Sequence, residues 1–204
     1  MVASGFAGLG YQIVWTQQAS LWLGHEAAAV LAVITAFFSG LALGALMLGR
    51  QIERSRWPAR WYAGCELLIA AWSVVLALAL APISDVLRAL TGAQPTPWWQ
   101  GTVAFAGTFL LLLPATAAMG ATLPAMERVL AGLKVRAVPI AALYASNTLG
   151  AVLGVLATAF WLVPGIGLAR TAMACAVLNL MCAGIALLLA PQPGAKAALT
   201  PITP

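Results

Sequence analysis

The sequence predicts an all-α integral membrane protein of six transmembrane helices with both termini in the cytoplasm. Three observations carry this expectation. Only 7% of the 204 residues are Asp, Glu, Lys or Arg, against roughly 25% in a soluble domain. Hydrophobic residues make up 63% and the mean hydropathy is +0.98, with the apolar residues in runs of about 20, the length that spans a bilayer core. The charges gather in the short gaps between those runs. Continuous runs of this length read as helices, because backbone in lipid must satisfy its own hydrogen bonds.

The first span, Ser4–Leu23, is unusually polar. Gly5, Gly8, Gln12, Trp15, Thr16 and Ala19 share one helical face, with Tyr11 and Gln18 beside it. Such a face packs on protein or lines water. No positive region precedes this span and its glutamines interrupt it, so it does not read as a signal peptide. The second span, Ala27–Leu48, carries Gly40 and Gly44, followed by Gly49, spaced for close helix contact. The third, Trp61–Ala81, contains Glu66 on a stripe of small residues, Ala70, Ser73 and Ala77. After it, Ile83–Thr91 places Ile83, Val86, Leu87 and Leu90 opposite Asp85 and Arg88, the pattern of a short separate helix lying in the interface.

The fourth span, Gly101–Pro124, follows Trp98 and Trp99, which suit headgroup depth. Its Pro114 and Pro124 free backbone carbonyls and Gly120 permits a break there, a binding feature in some transporters, with an ordinary proline kink as the alternative. The fifth, Ile140–Val163, lines up Tyr144, Asn147, Gly150, Ala151, Gly154 and Thr158, and the sixth, Thr171–Ala190, sets Asn179 between Cys175 and Cys182. Residues 1–190 thus form one six-helix domain, and residues 191–204, rich in Pro, Ala and Thr, read as a cytoplasmic tail or linker. Glycine-rich middle spans with basic loops on opposite sides fit two inverted three-helix repeats.

Orientation follows from the basic residues of the short loops. Arg50, Arg54, Arg56, Arg60, Arg128, Lys134, Arg136 and Lys196 fall on one side, and Arg88 and Arg170 on the other. The net charge of +5 therefore reports topology and contact with anionic lipid, not nucleic-acid binding. The three cysteines, Cys65, Cys175 and Cys182, all lie inside spans and read as small buried hydrophobes without a metal site or disulfide framework. His25 and Glu26 form a polar pair at an outer loop.

Among residues that can carry function, Glu66 stands out, because a carboxylate inside a span needs a counter-charge or a route to water. It reads either as a cation site facing a cavity or as a structural carboxylate that snorkels outward or pairs with Arg50 or Arg54. Tyr11, Gln12 and Trp15 of the first span and Tyr144 and Asn147 of the fifth are the other candidate ligands, through hydrogen bonds or cation–π contact. No nucleophile, metal-ligand or phosphate-loop constellation is present, so no catalysis and no cofactor is expected of these residues.

The segment Gly49-Arg50-Gln51-Ile52-Glu53-Arg54 resembles the G-x-x-x-[DE]-R motif of the major facilitator superfamily, with Arg56 where that motif has glycine. Gly49, Glu53 and Arg54 occupy its defining positions, in what that resemblance makes a cytoplasmic loop. A longer pattern runs through SGFAG and YQIVW (residues 4–8 and 11–15), FFSGLALG (37–44), MGATLP (119–124) and LYASNTLG (143–150). It resembles the membrane domain of spermidine synthase-like fusion proteins, in which a facilitator-like region precedes an aminopropyltransferase domain. No acidic, glycine-rich nucleotide-binding segment occurs in this chain, so aminopropyl transfer is not carried over. The resemblance implies a half-transporter of the bacterial inner membrane, or the membrane partner of such an enzyme, handling a polyamine or other small cation. A homodimer or a second membrane protein would complete it. A non-transporting assembly subunit of a larger complex is the competing expectation.

Overall fold

The computed structural model describes residues 1–23, 26–92, 94, 96–132 and 140–189. Every element among them is helical: α1 (Val2–Leu23), α2 (Glu26–Arg54), α3 (Pro58–Thr91), α4 (Pro97–Gly132) and α5 (Ile140–Ala157). A π-helical turn, Thr158–Leu162, continues α5 into the short α6 (Val163–Ile166), and α7 (Leu168–Leu189) follows. Gly167, at φ +81°, supplies the left-handed turn between α6 and α7. His25, Lys134, Arg136 and Lys196, the tail 191–204 and the side chains of Glu26 and Arg88 lie outside the described residues.

Five segments are long and apolar enough to cross a membrane: Ala29–Arg54, Pro58–Ala79, Pro97–Gly132, Ile140–Ile166 and Leu168–Leu189. The chain is a multi-pass membrane protein. Helix α1 is not among the five, and its position explains its composition. It packs against α5, α7, α2 and α3, so that Ala7, Tyr11, Val14, Trp15 and Ala19 are all buried in the bundle. A helix that meets protein on several sides does not need a lipid-compatible surface there, which accounts for the buried Gln18 and half-buried Gln12, whereas Gln17 is exposed.

Two close crossings build the bundle. Where α2 meets α4, a Cβ on Gly44 would sit inside the carbonyl of Ala117 and one on Gly40 inside the Thr116 side chain, while Gly120 of α4 presses on Leu41 in return. Where α1 meets α5, Gly150 and Gly154 lie on the backbone of Val2 and Phe6, and Gly5 presses on Asn147 in return. Each crossing thus uses two glycines four residues apart on one helix and a single glycine on the other. Backbone-to-backbone contact of this kind replaces the hydrophobic effect, which gives helices no mutual attraction in lipid. Around these pairs, α3 packs on α4 and α7, and α7 packs on α1. The Trp72 indole of α3 donates to the Leu111 carbonyl of α4 at 2.8 Å.

The prolines do not break their helices. Helix α4 runs unbroken through Pro114, Gly120 and Pro124, so the break that Gly120 permits is not taken. Membrane helices keep going past proline when neighbours and side-chain hydroxyls stabilise the disturbed turn. Here Thr116 donates back to the Leu112 carbonyl and Thr122 to that of Met119. Helix α3 likewise passes through Pro82, so Ile83–Thr91 is its extension and not a separate interfacial helix. Of the apolar face expected there, Val86 and Leu90 are exposed and Leu87 is buried. Its methyls lie against Gly107 of α4, which ties the extension to the bundle. At 34 residues α3 is about 51 Å long, well beyond the roughly 30 Å core of a bilayer.

Candidate functional site

Glu66 lies eight residues into α3, about 12 Å from the helix start at 1.5 Å per residue. It is fully buried, and among the described residues it is the one buried charged side chain. The structure excludes both bland roles expected for it. It does not snorkel, because none of its surface reaches solvent or lipid. It does not pair with Arg50 or Arg54, which are exposed at the end of α2. Its protein partner is Asn179 of α7, whose Nδ2 donates to Oε2 across 113 residues of sequence.

The surroundings are polar by the standard of a membrane interior. The phenol of Tyr62, one helical turn before Glu66, neighbours both the carboxylate and the Ser4 hydroxyl of α1. Toward the other end of the bundle, Tyr11 of α1 faces Ser73 of α3. Tyr11, Tyr62, Glu66, Ser73, Cys175 and Asn179 are all essentially inaccessible. Three helices supply them at helical spacing. Residues 62, 66 and 73 run along one face of α3, residues 4 and 11 along α1, and 175, 179 and 182 along α7.

Several oxygens in this cluster have no protein hydrogen-bond partner: Glu66 Oε1, Asn179 Oδ1, the Tyr11 hydroxyl and Ser73 Oγ. Thr158 Oγ1, at the start of the π turn, is unpartnered too. It lies beside Cys175 where both face Gly10 of α1. Buried polar atoms are ordinarily satisfied, and an unpaired one costs about 1–3 kcal/mol. Tyr11 and Ser73 face each other about 10 Å from Glu66 along the seam between α1, α3 and α7, so two such oxygens, Glu66 Oε1 and Asn179 Oδ1, remain at the carboxylate site. Chemically, that site can hold a small cation.

The other candidates divide. Tyr11 belongs to the cluster. Trp15 stacks on it, with ring centroids 5.3 Å apart, and is itself buried as core. Gln12 is partly buried with an unpartnered Oε1. Tyr144 is 62% exposed on the outer side of α5 and is no part of the site. Asn147 packs against Gly5 at the α1–α5 crossing, where it serves helix contact. Gly49, Glu53 and Arg54 form the last turns of α2, not a loop, with Glu53 and Arg54 exposed and Ile52 turned into the core.

Three parts of the site escaped sequence reasoning, the first being Tyr62, a turn before Glu66 on the same face of α3. Asn179 reads as an ordinary interhelical contact, and only its burial beside Cys175 hints at more. The π turn has no signature in the apolar run TAFWL. Comparison with family models, curated proteins and solved structures gives no match for this chain.

Proposed function

We propose that this chain is a facilitator-like half-transporter that handles a small cation at Glu66. The observation that carries the reading is a fully buried carboxylate that accepts from a neutral amide and neighbours the Tyr62 phenol, with its own Oε1 and Asn179 Oδ1 left without a protein hydrogen bond. A carboxylate that is ionised in a membrane interior needs a counter-charge, and among the described residues no basic side chain supplies one, although the Met1 ammonium lies beside Cys182.

The architecture supports the same reading. The α1–α5 and α2–α4 crossings are built from the same glycine arrangement, which is what two inverted three-helix units exchanging their first and second helices would produce. In that scheme α1 is the sixth crossing, parallel to α5, and the arginine-rich end of α2 lies in the cytoplasm. In this reading, which draws on the resemblance to the membrane domain of spermidine synthase-like fusion proteins, the chain sits in a bacterial inner membrane and is completed by a second copy or by a membrane partner.

The test is ligand-linked stability of protein in lipid nanodiscs. Sodium, potassium or spermidine at 100 times its Kd stabilises the wild type by about 2.7 kcal/mol. Glu66→Gln keeps the shape and loses that response. A wild type that none of these ions stabilises overturns the proposal. Isolation of a stoichiometric membrane partner, together with that null result, moves the reading to the assembly subunit.

A further inference from the structure

A second feature, independent of Glu66, lies on the lipid-facing side of α2, α3 and α4. A groove of about 640 Å³ opens there, within the size range of small-molecule sites. Its floor is made of small residues, Gly64 of α3 and Ala117 of α4, and its sides of Leu48 and Leu68. A Cβ on Gly64 would meet nothing within 4 Å, so the absence of a side chain there creates space that no helix contact uses. One end of the groove is charged. Arg60 lies at the mouth with its guanidinium 4.2 Å from the ring centroid of Trp57. That stacking holds the cation in place while leaving its N–H donors free for an anion. Arg50, Arg54 and Arg56 are exposed on the same end of the helices.

From Arg60 to Leu68 the groove follows α3 for about 12 Å. A cationic mouth, a flanking Trp at headgroup depth and an apolar slot running inward match an amphiphile with an anionic head. We infer that this groove is a binding site for an anionic phospholipid, with one acyl chain over Gly64 and Ala117 and the phosphate on Arg60. A wholly apolar occupant would leave Arg60 unused, and a free phosphate would leave the slot unused. The surplus of arginine at this end favours anionic over zwitterionic headgroups, by about fivefold for each contacting basic residue.

The experiment uses the full chain in nanodiscs of equal phosphatidylglycerol and phosphatidylcholine, released into native mass spectrometry, with retained lipids counted. The wild type retains phosphatidylglycerol at least fivefold over phosphatidylcholine. Arg60→Gln reduces that preference about fivefold, and Gly64→Leu, which fills the slot, removes retention of both lipids. Thermal unfolding of each variant confirms that it is folded. Arg60 is exposed and outside the helix packing, so its variant carries the test if Gly64→Leu does not fold. Equal retention of the two lipids by the wild type, or undiminished preference in Arg60→Gln, overturns the inference.

Discussion

Replacing Asn179 with alanine removes the one protein hydrogen bond that Glu66 Oε2 accepts. Asn179 is 1% exposed and Glu66 is fully buried, so neither can turn to water instead. A hydrogen bond to a charged group contributes about 1.5–3 kcal/mol, whereas removing both partners together is close to neutral. The measurement is a double-mutant cycle: wild type, Asn179→Ala, Glu66→Met and the double variant, each unfolded reversibly in the same nanodiscs. Methionine keeps the length of the glutamate side chain without its oxygens. The expected coupling is about 1.5–3 kcal/mol, with Asn179→Ala strongly destabilising alone and nearly silent on the Glu66→Met background. Additivity within about 0.5 kcal/mol would mean that the two side chains do not depend on each other, and the site as described would be wrong.

Other outcomes follow from the packing. Gly44→Leu and Gly154→Leu should each lower the unfolding temperature sharply or prevent folding, because the new side chain meets backbone of the crossing helix. Trp72→Phe should cost roughly 0.6–1.7 kcal/mol in reversible unfolding, the range for an interhelical hydrogen bond in a membrane. Cys175, fully buried, should resist maleimide labelling in the folded protein and react on unfolding, and rapid labelling in the native state would contradict its placement. Tyr144→Ala should leave any cation response unchanged, since that side chain is far out on the surface of α5.

The helical class and the singular position of Glu66 were legible because both depend on local chemistry: apolar run length, and a carboxylate where lipid forbids one. The glycine spacing likewise announced close contacts in α2 and α5. The partners of those features were not legible. Asn179 meets Glu66 only because α3 and α7 come together, and nothing in a single sequence specifies that pairing. Tyr144 and Asn147 share a helix with Gly150, but a helical wheel shows which residues share a face, not which face a neighbour will cover. Pro82, Pro114 and Pro124 mislead for a related reason. Proline weakens a helix locally, while the surrounding bundle decides whether the helix ends.

The paired crossings also bear on how such a bundle can move. Helices that touch through glycine at backbone distance cannot slide past each other without separating altogether, so α1 with α5 and α2 with α4 each behave as one stiff blade. Rearrangement is left to the seams outside the two blades, and α3 against α7 is one of them. The Glu66–Asn179 bond spans that seam. In the proposed reading, whatever neutralises the carboxylate alters that latch, so cation occupancy and the attitude of α3 to α7 become a single variable.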